Sequence, residues 1–410
     1  MKEREKSRVL VFLLCLIIIG QAAMDIYLPS IPRIVSLFAA PVEQVQMTIS
    51  IYLLGFGISQ IFYGPLADRF GRLPVLLGGL PFFSAASVAM MWVPSINWVL
   101  ALRFVQGISI GAASVCARAI MRDVFEADEL PVASSYMSMA WALVPILAPT
   151  LGGAIQLHFG WSYSFLLLGV VGVGLTCWLV IGIGETNRHR TSTFSVKEIT
   201  RNYASLFDKV EFRNNMVLLS LLYGIFSIVN VTGPIVFQNQ YHFSTMSYGW
   251  TMLIISFGYL FGSFLNNRLL VHMRSGRIVG VGTTLLFVTC LVNLIFELCG
   301  LRSPLTLICV LFSIYLALGL VFANALSASL RPFPHLAGLA SSMYGLLMFC
   351  SGSLISSGYA TFLTSNSMSL ACAVLVLGAL MFACHILFSR NSRGTESGAC
   401  ERRNTESATG

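Results

Sequence analysis

The chain has 410 residues, 56% of them hydrophobic and only 10% charged, with a mean hydropathy of +0.80. A soluble domain does not carry that balance, and a net charge of +8 spread over so few ionisable groups is a poor basis for a nucleic-acid surface. The composition is that of an integral membrane protein.

Runs of about 20 mostly apolar residues, the length a spanning helix needs, occur twelve times. They lie near 9–28, 45–63, 73–92, 97–120, 131–156, 162–183, 214–237, 246–270, 277–297, 303–326, 336–362 and 368–388. The first has a basic flank, and Gly20 to Ala22 resemble a signal-peptidase site. Cleavage there would discard a span, so an uncleaved first helix is expected. Asp25 lies roughly 24 Å along that helix from Val9, at about 1.5 Å per residue, and is the only acid well within the first six runs. A carboxyl in an apolar cavity takes up a proton more readily than one in water, and a nearby cation opposes this. Asp25 is therefore a candidate proton carrier; an interfacial capping role is the alternative, because Pro29 and Pro32 follow it.

Between the second and third runs stands Gly64-Pro65-Leu66-Ala67-Asp68-Arg69-Phe70-Gly71-Arg72, expected to turn tightly at the membrane surface. Gly64 and Gly71 let the backbone bend, Asp68 accepts hydrogen bonds or pairs with a cation, and Arg69 and Arg72 favour the cytoplasmic side. Arg103 enters the fourth run about 9 Å below Asn97 by the same rise, at a depth matching Asp25. The two meet directly or through water, or Arg103 is a structural donor to neighbouring carbonyls. Arg118, Arg122 and Asp123 close the fourth run on the face of Asp68, where a salt-bridged gate or topology charge alone accounts for them. In the fifth run Pro145, Pro149, Gly152 and Gly153 remove backbone donors and permit close packing, so that helix is expected to kink.

The polar stretch 185–213 is expected to be a linker, in which Ser195-Val196-Lys197-Glu198 reads as a capping box opening a short amphipathic helix through Ile199, Tyr203 and Leu206. Further on, Gly262 to Arg268 echoes Gly64 to Arg69, with Asn267 in place of Asp68. The organisation expected is an all-α membrane fold of twelve spans in two six-helix, pseudo-symmetric bundles, 1–184 and 214–388, followed by a disordered tail, 389–410.

Of the 25 Lys and Arg, Arg33 and Arg302 fall in outer connectors and Arg103 inside a span, leaving 22 on the other face or its tails. Both termini are therefore expected in the cytoplasm, and Trp92, Trp98, Trp161 and Trp250 mark the opposite interface. Ten cysteines without a C-x-x-C pair and six scattered histidines indicate no disulfide framework and no metal site. Gly107-Ile108-Ser109-Ile110-Gly111 has the nucleophile-elbow spacing but lies inside a span with no preceding strand, so no enzyme is expected. Asn230-Val231-Thr232, formally a glycosylation sequon, is likewise inside a span.

These motifs resemble the major facilitator superfamily over essentially the whole chain to about residue 390. Within it they resemble the twelve-helix drug:proton antiporters of the bicyclomycin and chloramphenicol resistance type. The resemblance rests on Asp25-Ile26-Tyr27-Leu28-Pro29 with Pro32, the loop from Gly64, Arg103-Phe104-Val105-Gln106-Gly107, Ala117 to Asp123, and Pro145 to Gly153. Leu73 replaces a basic residue of the loop motif, Val144 and Ala148 replace two glycines of the fifth-helix motif, and Ser109 stands at a fourth-helix glycine. The resemblance implies that Asp25 binds the proton, that Arg103 tunes it, and that Asp68 with Arg118 closes the cytoplasmic side in the outward-open state. It also implies a cavity formed by spans 1, 4, 7 and 10, with Tyr52, Tyr223, Asn230, Gln238 and Asn324 as polar candidates for its lining. The expected cargo is a small molecule exchanged for protons across a bacterial inner membrane by a monomer in the lipid bilayer, with no cofactor, no metal and no nucleic-acid partner. The competing readings are a proton symporter importing a nutrient and a non-transporting receptor or scaffold.

Overall fold

The computed structural model describes residues 3–126, 129–187, 196–333 and 336–408. Its helices are α1 (Glu3–Asp25), α2 (Ile31–Phe38), α3 (Val42–Phe70), α4 (Arg72–Ala89), α5 (Ile96–Val124), α6 (Leu130–His158), α7 (Ser162–Gly182), α8 (Val196–Leu206), α9 (Val210–Ile235), α10 (Thr245–Leu269), α11 (Ser275–Leu298), α12 (Pro304–Leu330), α13 (Ala337–Phe362) and α14 (Ser367–Ala408). Twelve are long and apolar enough to cross a membrane, and they coincide with the twelve apolar runs. No strand occurs among the described residues. The face that carries the amino terminus and α8 is the inner face below, and the opposite one the outer face.

Three boundaries differ from the sequence reading, each for a local reason. Gly64 to Phe70 is not a connector: α3 continues through it, and the turn into α4 is Gly71 alone. Beyond Asp25 the chain turns and then forms a short amphipathic α2, opened by Pro32 in its first turn. α14 extends past Ser389 to Ala408, through the stretch expected to be disordered, as no proline interrupts the helix that runs on from the span. In the linker, α8 forms and buries Tyr203 and Leu206 as its amphipathic pattern requires; Ser195 lies outside the described residues.

Helices pair within each half in the same way. Gly55 and Gly107 bring α3 against the backbone of α5, and Gly258, Gly262 and Gly319 do the same for α10 and α12. Between the halves, α3 packs along α13 and α6 along α10. Those two seams join the halves.

Candidate functional site

α1 ends at Asp25, and the end of a helix leaves carbonyls without intrahelical donors. Arg103 of α5 supplies one: its Nη1 donates to the Ala23 carbonyl (2.9 Å) and to Gln106 Oε1 (3.0 Å), and its Nε donates to the Thr48 carbonyl (3.3 Å). Its guanidinium also lies over the rings of Tyr52 (4.2 Å to the centroid), Tyr27 (4.6 Å) and Phe165 (5.7 Å). Fully buried, it ties α1, α3, α5 and α7 together. Tyr27 and Thr48 share a hydrogen bond (2.9 Å), Tyr52 donates to the Gly20 carbonyl (2.6 Å), and Gln106 donates to Ser87 on α4 (2.8 Å).

Asp25 sits beside this hub without joining it. It is 1% exposed; its Oδ2 accepts from Gln21 Nε2 (2.9 Å), and its Oδ1 has no hydrogen-bond partner. No hydrogen bond or ion pair joins Asp25 to Arg103, so the direct meeting that the sequence left open does not occur. Three tyrosines of the other half, Tyr223, Tyr248 and Tyr315, are within Coulombic reach of Asp25. The hydroxyls of Tyr248 and Tyr315 are themselves unpartnered. The neighbouring Met24 sulfur meets the Tyr223 hydroxyl at 3.7 Å.

Tyr223 forms part of the wall of a central cavity of about 30 Å³, room for about two waters. The rest of its lining includes Trp141, Pro145, Phe226, Tyr315 and Phe322, with the Trp141 and Phe322 rings stacked at 5.6 Å. The cavity thus lies among the fifth, seventh, eighth and tenth spans rather than the expected first, fourth, seventh and tenth, because the Arg103 hub fills the space between α1 and α5. Of the five polar candidates only Tyr223 lines it. Tyr52 belongs to the hub, and Asn230 is buried on α9 with Nδ2 unpartnered. Gln238 donates to the Pro29 carbonyl (2.9 Å) at the outer end, and Asn324 donates to Asn266 (2.6 Å) near the inner end.

The outer face is closed by neutral hydrogen bonds between the halves. Gln46 donates to the Val231 carbonyl (2.9 Å) and to Ser365 (2.8 Å), Ser50 meets Ser356 (2.7 Å), and Ser353 donates to the Ser50 carbonyl (2.7 Å). The prolines of α6 take part. Pro149 lacks the N–H that would satisfy the Pro145 carbonyl, and Ser256 of α10 donates to that carbonyl instead (3.2 Å), while Thr150 donates to the Gly249 carbonyl (3.0 Å). Gly152 packs on the Ile26 carbonyl and Gly153 faces Thr245.

At the inner face, with the outer face closed, Arg72 is the partner of Asp68. Its Nη1 reaches Asp68 (2.6 Å) and its Nε reaches Asp123 (3.1 Å). Arg118 donates to Gln60 (2.7 Å) and Ser114 (2.9 Å), too deep along α5 to reach Asp68. Arg122 lies against Gly338 of α13 and Arg69 over the Phe70 ring. The residue that the sequence reading passed over is Glu185. Its carboxylate accepts from the backbone N–H groups of Arg72 (3.0 Å) and Leu73 (3.1 Å), capping the start of α4 from the far end of α7. Gly71 makes room for it. With φ 104° and ψ 163° it occupies a region open essentially to glycine alone, and a Cβ there would strike the Glu185 carboxylate. Gly71→Ala should therefore cost about 1–3 kcal/mol, read as a fall of several degrees in the apparent melting temperature in detergent.

Twelve spans in two packed halves, a buried carboxyl at their seam and a small apolar cavity between the halves define a multi-pass membrane transporter of the alternating-access kind. The chain belongs to the major facilitator superfamily, whose family model matches residues 13–357. It is 27% identical over 386 residues to multidrug resistance protein D of Escherichia coli (strain K12), covering 94% of this chain and 96% of that one. It is also 28% identical to the bicyclomycin resistance protein homolog of Haemophilus influenzae, covering 90% and 94% of the two chains. Among solved structures, the peptide transporter POT in complex with sulfate shares the fold, with a TM-score of 0.75 and 13% identity over 94% of each chain. The subfamily resemblance read from Asp25 and the helix motifs agrees with these relatives.

Proposed function

We propose that this chain is a proton-coupled antiporter that exports amphipathic drugs or related small metabolites across a bacterial inner membrane, with both termini in the cytoplasm. The observation that carries the reading is the Asp25 carboxyl: buried, held by one neutral partner, with one oxygen left open at the seam between the halves. The names of the resistance proteins it resembles support the cargo class. At about 30 Å³ the cavity is too small for cargo in this arrangement, and its apolar, aromatic lining suits cargo of varied shape once the halves part.

In the inner-open state, cargo enters beside Tyr223 and Tyr315 and the Asp25 proton leaves to the cytoplasm. The outer hydrogen bonds then part as the halves tilt, and cargo is released when a proton from outside returns to the Asp25 oxygen. One proton crossing 100 mV supplies about 2.3 kcal/mol, and each pH unit adds about 1.4 kcal/mol, enough for accumulation ratios of tens to hundreds. The gradient is the sole energy source, with no cofactor, and a monomer suffices. Asp68, Arg72 and Asp123, with Glu185 behind them, hold the inner ends of α3, α4 and α5 as one rigid unit during the tilt.

A panel of compounds tests this. Expression should lower the cellular accumulation of at least one of them, and an uncoupler should abolish the difference. Uptake of a compound driven by an inward proton gradient would establish import instead.

A further inference from the structure

Between the inner ends of α9, α11, α12 and α14 opens a fissure of about 1890 Å³, separate from the central cavity. Its wall carries Val281, Leu285, Val288 and Phe388, with Thr284, Asn324 and His385 among them. Val281 (45%) and Val288 (48%) are exposed along a membrane-spanning helix, so the fissure opens sideways to where acyl chains lie. Its mouth carries Lys209, Arg213, Arg274 and Arg277 against two acids, Asp208 and Glu211.

None of these four bases forms an ion pair among the described residues. In the amino-terminal half, by contrast, Lys6 is paired with Glu129 and Arg72 with Asp68 and Asp123 at the same face. The mouth also receives the N-terminus of α11, whose N-cap, Arg274, offers no side-chain acceptor and whose first turn holds no acid. Beside Gly276 the space is open. Positive side chains and a helix N-terminus above an apolar wall that faces lipid match the shape and charge of one class of molecule.

We infer that this fissure binds an anionic phospholipid of the surrounding bilayer, its phosphate at Arg274, Arg277 and the start of α11, and its acyl chains along Val281 and Val288. The site is independent of the cargo cavity and of proton exchange.

The test uses the full-length protein, stripped with detergent, incubated with vesicles of phosphatidylglycerol or of phosphatidylcholine, and then examined by native mass spectrometry. Wild type should retain phosphatidylglycerol well above phosphatidylcholine. The Arg274→Gln/Arg277→Gln double variant should weaken that retention roughly thirtyfold, equivalent to about 1 kcal/mol for each basic residue, and Arg274→Lys/Arg277→Lys should restore it. Val281→Trp, which fills the apolar wall and leaves every charge, should also lower retention. Monodisperse elution of each variant checks that it is folded. Equal retention of the two lipids, retention unchanged in the glutamine and tryptophan variants, or displacement of the lipid by millimolar inorganic phosphate would overturn the assignment.

Discussion

Asp25→Asn is expected to reduce cargo-driven proton release to the rate of protein-free liposomes while leaving the protein folded. Asparagine has the shape of aspartate and still offers an oxygen to Gln21 Nε2, so the one hydrogen bond Asp25 makes survives. The Arg103 hub does not include the Asp25 side chain and is untouched. What is lost is a group that exchanges a proton at the seam. Proteoliposomes loaded with a pH-sensitive dye read this directly: in wild type, adding a compound identified by the accumulation screen should release protons, and in the variant it should not. Exchange of labelled for unlabelled cargo without a gradient should persist in the variant, because the cavity walls at Tyr223, Tyr315 and Phe322 are unchanged. Undiminished proton release would remove Asp25 from the mechanism. Loss of both proton release and cargo exchange would assign it a structural role at the end of α1.

The twelve spans were legible because each is a long apolar run, and no tertiary information is needed to see one. The same holds for α8, whose polar and apolar positions alternate at helical spacing. What the sequence concealed were partners brought together from distant helices. Glu185 reads as the first charge of a polar linker, yet it reaches back across more than a hundred residues to the start of α4. Arg103 reads as a neighbour for Asp25 because the two depths match, but depth along a span says nothing about azimuth, and the guanidinium faces Tyr27, Tyr52 and the Ala23 carbonyl instead. The resemblance pairs Asp68 with Arg118 in the outward-open state; with the outer face closed, Arg72, four residues after Asp68 and one helical turn away, holds it instead. Gln21 carried a usable signal: it precedes Asp25 by four residues on the same helix, the spacing at which side chains meet. The outer closure carried none, since Gln46, Ser50, Ser353 and Ser356 are ordinary polar residues until the two halves are placed together.

Gly249→Val should hold the transporter open at its outer face and lower transport at least about tenfold, an effect that follows from where the close approach occurs. Gly249 stands near the outer start of α10, against α6 of the other half. A Cβ added there lies 2.9 Å from Thr150 Cα and 3.1 Å from the Pro149 carbonyl oxygen, both backbone atoms with no rotamer to yield. Overpacking of this kind costs about 1–3 kcal/mol. The cost falls on the closed state, because the seams part when the outer face opens, and it therefore shifts the equilibrium between the states by roughly 5- to 150-fold. Thr232 is a suitable reporter because it is fully buried on α9, beside Tyr359, while the outer face is closed. In a Thr232→Cys background with the native cysteines replaced, a membrane-impermeant maleimide applied from outside should label that cysteine on the order of ten times faster when Gly249→Val is present. Gly174→Ala, where an added Cβ meets nothing within 4 Å, should change neither labelling nor transport. Slow labelling with Gly249→Val would mean that the α6–α10 seam does not govern access from the outer face.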